Sequence, residues 1–202
     1  MFEVDHKAGI MPSATALTRI AAMKSFQRHS GNEILQKISA LRDDFPRQVS
    51  KTRLAIYELI RLLMSTPEVA GDLQHRHGSS AGFMIDLLQL CRSERDPECL
   101  MVWFDILRIF LSEYSPSKEV LEEVYGAFKP YFPISLPRAS QVAITPEDLK
   151  LQLRKCFSST HLLADHVFPF LLGKLDQGDA VTVNVKVRTT MPFWRVALTD
   201  RQ

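Results

Sequence analysis

The sequence predicts an all-α protein, a HEAT- or armadillo-like α-solenoid segment of about eight helices in antiparallel pairs. Three observations carry that expectation. Apolar residues recur at helical spacing along most of the 202 residues. The segments that carry them are short and are separated by Pro, Gly, Ser or Asp. Two successive pairs open on similar start signals at Asp96 and Thr145, about 49 residues apart, against the roughly 40–47 of HEAT and armadillo units. A compact helical bundle is the competing architecture.

In chain order, an Ala-rich helix is expected from Ser13 to about Phe26, after an N-terminal extension over residues 1–12. A second spans Asn32 to Phe45, where Ile34, Leu35, Ile38, Leu41 and Phe45 form one stripe and Pro46 ends it. Ser50 is placed to cap a third, striped by Leu54, Tyr57, Ile60 and Met64. The interval Thr66 to Gly78 shows weak periodicity and is read as one short turn of helix. A fourth helix runs from about Ser80 through Cys91.

The fifth, Asp96 to about Ser112, has Asp96 as cap and Pro97 at its first position, and only Asp105, Arg108 and Ser112 make a polar stripe. Such a helix must be covered on most sides. Ser117 is placed to cap a sixth, with Val120, Leu121, Val124, Tyr125, Phe128 and Phe132 inward. The seventh starts where four signals coincide: Thr145 as cap, Pro146 at the first position, Asp148 completing a capping box, and Ile144 with Leu149 as a staple. An eighth, His161 to Leu175, contains Pro169, where a kink is expected, and its Phe168, Phe170, Leu171 and Leu172 call for burial. The fifth pairs with the sixth and the seventh with the eighth. The helical repeats thus cover residues 13–178, and residues 179–202 form an atypical tail in which Val181, Val183, Val185 and Val187 alternate.

Composition narrows the function classes. With 46% hydrophobic and 24% charged residues the chain can bury a substantial core. Its 25 Lys and Arg against 23 Asp and Glu leave a formal charge of +2, too little to direct the whole chain to nucleic acid or a membrane. Cys91, Cys99 and Cys156 are odd in number and sit in apolar helical patterns, which favours a reducing compartment over a disulfide framework. No apolar core follows a basic start and no 18-residue apolar span occurs, so a soluble intracellular protein is expected.

Motifs of chemistry are sparse. G-x-G-x-x-G, the Walker-type lysine loop, H-E-x-x-H and G-x-S-x-G are all missing. His75 and His77 have the close spacing of zinc ligands but no Cys or carboxylate at ligand spacing, so a solvated loop is preferred. His161 and Asp165 are i,i+4 neighbours able to act as an acid-base pair, with surface hydrogen bonding the better reading. Cys99 and Cys156 lack an activating neighbour and read as buried small hydrophobes. Trp103 and Phe104 lie in the most apolar helix and read as core. Glu119, Glu122 and Glu123, and Lys150, Arg154 and Lys155, are wet helix faces before they are partner sites. Direct nucleic-acid binding by Lys24, Arg28, Lys150, Arg154 and Lys155 is the alternative function, and a small enzyme using His161 and Asp165 a third. No enzyme activity, cofactor or metal is expected.

Residues 81–175 also resemble a known family. The succession GFMIDLLQLCRSERDPECLMVWFDIL, EVYGAFKPYFPISLP, AITPEDLKLQLRKCF and FPFLLGKL is similar to the N-terminal region of the methyl-methanesulfonate-sensitivity-nineteen (MMS-nineteen) proteins. Its most specific pieces are Tyr131-Phe132-Pro133-Ile134, the helix start from Ile144 and Thr145 to Glu147-Asp148-Leu149, the run to Leu175 with Lys174, and Asp96-Pro97. These are also the candidate partner contacts. The resemblance implies a non-enzymatic HEAT-repeat adaptor of cytosolic iron-sulfur protein assembly, acting in cytoplasm and nucleus. It would deliver clusters to apo-proteins of DNA repair, replication and transcription, with the assembly targeting complex, iron-sulfur clients and transcription factor TFIIH as protein partners and no membrane partner. Members of the family are several times longer than 202 residues.

A solenoid segment whose last pair lacks a polar cap exposes its stacking face. The isolated chain is therefore expected to self-associate, eluting ahead of its 23.0 kDa monomer in size-exclusion chromatography with light scattering; a monodisperse monomer would count against this.

Overall fold

Local chemistry sets where the helices of this chain begin, and packing sets which of them touch. The computed structural model describes residues 7–23, 25–26, 30–134 and 144–176. These form nine α-helices and short 3-10 turns, without strands among the described residues: α1 (Ile10–Ala21), α2 (Ser30–Ser39), α3 (Ser50–Ser65), α4 (Pro67–His77), α5 (Gly82–Leu90), α6 (Pro97–Glu113), α7 (Lys118–Phe128), α8 (Pro146–Phe157) and α9 (Ala164–Asp176). The all-α solenoid architecture expected from the sequence is the one observed.

Two rows of helices organise the core. In one row α1 packs on α3, α3 on α6 and α6 on α8; in the other α2 packs on α5 and α5 on α7, which meets the 3-10 turn before α9. Successive members of the first row start 40 residues apart from Ile10 to Ser50, 47 from Ser50 to Pro97 and 49 from Pro97 to Pro146. Hydrogen bonds span the same interval. The Cys99 thiol donates to the Ser50 carbonyl at 3.6 Å, the Tyr114 hydroxyl to the Met64 carbonyl at 3.4 Å, and the Cys156 thiol to the Phe104 carbonyl at 3.2 Å. All three cysteines are buried and unbridged, and burial pushes their thiols up in pKa, as befits inert packing groups.

The start signals at α6 and α8 form as their sequences predict. Asp96 Oδ1 accepts from the N–H groups of Glu98 at 3.0 Å and Cys99 at 3.2 Å. Thr145 Oγ1 accepts from Asp148 N–H at 3.2 Å while Asp148 Oδ2 accepts from Thr145 N–H at 2.9 Å, a complete capping box. Leu149 is buried and Ile144 packs against the same core. The serine caps differ. Ser50 is the first helical residue and Val49 the N-cap, without a side-chain cap bond. Ser117 holds the N-cap position of α7, but its hydroxyl engages the Glu119 side chain and its N–H donates to the Ser79 carbonyl at 2.8 Å.

Three boundaries need correction. Helix α1 begins at Ile10, not Ser13, because Ile10 is itself a core residue. Helix α2 stops at Ser39; tight i→i+3 turns at Leu41 and Asp44 lead into a 3-10 turn at Phe45–Arg47, so Leu41 and Phe45 reach the core from non-helical backbone. The interval read as one short turn is the eleven-residue α4, started by extended Thr66 and Pro67 and closed by Gly78 at φ +53. Val69 and Leu73, one turn apart, bury it against α2 and α3. Helix α9 runs through Pro169 as one continuous helix. Phe170 and Leu171 are half-buried, but Phe168 and Leu172 are exposed, contrary to the burial expected of them. Residues 179–202 lie outside the described residues.

Helix α4 lies so close to α2 that a methyl group at Gly31 would overlap the Val69 Cγ1 atom. Gly31→Ala is expected to destabilise the fold by about 1–3 kcal/mol in urea unfolding through overpacking. Gly71→Ala, on the exposed side of α4 with open space around it, should instead stabilise by about 0.5–1 kcal/mol.

Candidate functional site

The turn between α5 and α6, CRSERD, holds the most elaborate polar cluster of the described residues. Ser93 takes a left-handed φ of +69, and the chain reverses so that the Glu94 side chain enters the interior. Its carboxylate has five donors. Arg53 contributes Nε at 2.8 Å and Nη2 at 2.9 Å, Tyr57 its hydroxyl at 3.2 Å, and Arg95 and Asp96 their backbone N–H groups at 2.9 Å each. The Tyr131 hydroxyl donates to the Glu94 carbonyl at 2.9 Å. Helix α3, the α5–α6 turn and the turn after α7 are thereby tied together at one residue.

Burial opposes the charge on Glu94, but the Arg53 hydrogen bonds and the Asp96 and Arg95 amides outweigh it and hold the carboxyl below its ordinary range. Arg53, bonded to Glu94, is held above its ordinary value. Burial, with Glu94 as a smaller cause, pushes the Tyr131 hydroxyl up to about 12. These are groups locked in one protonation state, suited to holding a structure rather than to exchanging protons near neutrality.

The sequence-predicted site residues fall on two joints. Asp96 and Tyr131 both bond to Glu94, Pro97 opens α6 directly after Asp96, and the Tyr131 ring lies edge-on to Phe104 at 5.3 Å. Phe132 belongs to an aromatic cluster that joins α7, α8 and α9: its ring lies 5.8 Å from Phe157 and 5.7 Å from Phe170, and Phe128 sits 5.0 Å from Phe157. Lys174 lies over the Phe170 ring at 5.9 Å, with Lys129 at 5.3 Å. Thr145, Asp148 and Leu149 form the α8 start, Glu147 is exposed there, Pro133 is exposed after a cis Phe132–Pro133 bond, and Ile134 is half-buried. Most of these residues are helix-joint parts, and Pro133, Thr145, Glu147 and Asp148 are the exposed ones.

Beside Glu94 opens a cleft of about 140 Å³. Buried Phe45, Tyr57 and Leu90 line it together with exposed Pro46, Arg92 and Arg95. Sequence reasoning missed both the hub and the cleft. The partners Arg53 and Glu94 are 41 residues apart, and a single Glu inside a charged run carries no signal of burial.

Other candidates resolve differently. His75 and His77 do not lie in a solvated loop: they end α4, where His77 Nε2 hydrogen-bonds Asn32 Oδ1 at 2.9 Å and its ring packs 5.2 Å from Phe83. No group of three His, Cys, Asp or Glu is placed to hold a metal among the described residues. His161 and Asp165 are exposed, His161 in a 3-10 turn and Asp165 in α9, and no hydrogen bond joins them. Trp103 and Phe104 are fully buried, and Glu119, Glu122 and Glu123 are exposed. Lys150, Arg154 and Lys155 are exposed on α8, with Lys150 paired to Glu147 at 3.3 Å. Lys24 and Arg28 lie outside the described residues. No described helix is long and apolar enough to cross a membrane.

Comparison with known proteins gives a consistent picture. Residues 2–192 match the family described as Dos2-interacting transcription regulator of RNA-Pol-II. The chain is 38% identical over 95 residues to an MMS19 nucleotide excision repair protein homolog of Dictyostelium discoideum, covering 46% of this chain and 8% of that protein. It is 26% identical over 180 residues to the MMS19 DNA repair/transcription protein of Saccharomyces cerevisiae, covering 87% and 17%. With the human MMS19 nucleotide excision repair protein homolog it shares 30% over 126 residues, covering 61% and 12%. The chain thus spans less than a fifth of the length of these relatives. No solved structure gives a significant match.

Replacing Glu94 by Gln leaves the Arg53 guanidinium without its counter-charge and is expected to cost about 3 kcal/mol in urea unfolding at neutral pH. Because the Glu94 carboxyl is lowered in the fold, its stabilisation is complete above the unfolded value of about 4.3 and disappears as pH falls through the lowered one. The gap between the native protein and Glu94→Gln should therefore be flat above about pH 5 and narrow below about pH 4; a gap independent of acid would show that Glu94 is not the charged partner.

Proposed function

We propose a function from one premise, that the chain belongs to the family of MMS19 N-terminal regions, the Dos2-interacting transcription regulators of RNA-Pol-II. Relatives in that family are named as DNA repair, nucleotide excision repair and transcription proteins. The chain acts in the same processes as a protein-binding scaffold, without catalysis of its own. The single observation that carries this is the family match of residues 2–192, and the two-row helical stack of the described residues, whose polar hub is spent on internal bonds, is in keeping with it.

The finer reading is an adaptor that brings apo iron-sulfur proteins of repair, replication and transcription to the cytosolic cluster-assembly machinery. Its partners are the assembly targeting complex, iron-sulfur clients and TFIIH, and its compartments are cytoplasm and nucleus. The resemblance of Asp96-Pro97, Tyr131 to Ile134 and Thr145 to Leu149 to the adaptor family supports it. A stack of helix pairs suits the role, since it presents extended surfaces on a frame that each pair stiffens for the next.

Capture from cell extract tests the reading. The immobilised 202-residue chain is expected to retain iron-sulfur helicases, with or without assembly subunits, and to retain them after nuclease treatment. Retention of nucleic acid alone would favour the basic-face alternative of Lys150, Arg154 and Lys155. Substituting exposed Pro133 together with Ile134 should lower capture severalfold; unchanged capture would assign that turn to spacing alone.

A further inference from the structure

The cleft beside Glu94 has a charge imbalance that the fold does not use. Three arginines and one glutamate are among its lining residues, although the whole chain carries a formal charge of only +2. Arg53 is fully engaged, with Nε and Nη2 on Glu94 and Nη1 on the Gln48 carbonyl. Arg92 and Arg95 are different. Both side chains are exposed, both line the cleft, and neither makes an ion pair among the described residues. Because Glu94 is already saturated by five donors, it offers them no acceptor. Two like charges beside the apolar groups Phe45, Pro46 and Leu90 gain from an arriving anion that also brings something to bury.

We infer that this cleft docks an acidic segment of a protein partner, with an Asp or Glu carboxylate between Arg92 and Arg95 and a neighbouring aliphatic side chain against Phe45, Pro46 and Leu90. The inference rests on the scaffold reading for the class of partner and adds the place and chemistry of one contact. Size supports a side chain over a cofactor: about 140 Å³ is below the roughly 300–1,000 Å³ of small-molecule sites. Charge pattern supports a peptide over nucleic acid. Asp43 and Asp44 stand between Arg42 and Arg47, which precede and follow the Phe45 wall, and Asp96 and Glu98 follow Arg95, so carboxylates alternate with arginines along both segments. Such mixed charge suits a short peptide contact, whereas nucleic-acid binding calls for a continuous basic patch or stripe. Rigid placement follows from the hub. Arg95 stands directly beside Glu94, whose bonds to α3 and Tyr131 fix the turn that presents both arginines.

The test uses the full chain and a defined probe, a fluorescein-labelled eight-residue peptide of alternating Leu and Glu with blocked ends, read by fluorescence anisotropy. Saturable binding is expected, weaker by at least about tenfold for the Leu and Gln counterpart and for the chain carrying Arg92→Glu and Arg95→Glu. Both arginines are exposed and unpaired, so this variant should melt within about 2 °C of the native chain. Equal binding of the Gln peptide, or of the native peptide by the double variant, overturns the inference. So does a labelled oligonucleotide that displaces the peptide and binds more tightly than it at physiological salt. If extract capture succeeds while the peptide does not bind, this site falls and the scaffold reading stands. If the peptide binds through the arginines and no iron-sulfur protein is captured, the site stands and the adaptor reading falls.

Discussion

Helix α6 is apolar around most of its circumference, with ten of its seventeen residues buried, and it has to be enclosed by other helices before it is stable. Its enclosure organises the molecule. Helix α3 covers one flank and α8 the other, while α7 closes a third side. The Tyr57 ring of α3 sits 5.9 Å from Trp103 of α6, and Phe104 of α6 meets Tyr131 through its ring and the Cys156 thiol of α8 through its carbonyl. Stability accumulates across the joints between pairs, since no pair buries α6 alone.

A wholly apolar joint would allow sliding, and the Glu94 hub prevents it. Five donors at fixed positions on one buried carboxylate leave a single arrangement of α3, the α5–α6 turn and the Tyr131 segment that satisfies all of them. The aromatic cluster of Phe128, Phe132, Phe157 and Phe170 does the corresponding work at the next joint with edge-to-face and stacked rings. Together they explain why the family-like residues cluster where the chain passes from one helix pair to the next. Tyr131 fastens the preceding joint, Phe132 the following one, and Thr145 with Asp148 opens the next helix. The described residues on either side of this connection, Tyr131 to Ile134 and Ile144 to Leu149, are therefore anchored parts of two successive joints.

The α9 end of the described fold differs in character from the middle of the stack. Exposed Phe168, Leu172 and Leu175 lie on one stripe of α9, at the end of the helix rows, while exposed Leu151 on α8 adds to the apolar surface there. Charged ties such as Arg61 with Asp105 and Arg108 with Asp105 line the middle of the stack, where α3 and α6 meet water. Such ties contribute little to stability but keep that flank polar.

The sequence by itself determined the fold class and the local punctuation. Helical spacing, Asp96 before Pro97, and the Thr145 to Asp148 box act over at most four residues, so neighbouring residues are enough to specify them. Its family-like motifs were legible for the same reason, as short runs of fixed order. What the tertiary structure decided is what depends on partners tens of residues away. Helix α4 shows only Val69 and Leu73 as an inward stripe and becomes a helix because α2 and α3 accept that stripe, with Gly31 allowing the approach. Ser50 and Ser117 were plausible caps whose hydroxyls make no cap bond, since Val49 holds the N-cap position of α3 and the Ser117 hydroxyl engages the Glu119 side chain. Packing between pairs, α3 on α6 and α6 on α8, could not be read from adjacency along the chain. Glu94 shows the reason most plainly: in the run CRSERD it is one charge among several, and only Arg53, Tyr57 and Tyr131, each more than thirty residues distant, make it the buried centre of the fold.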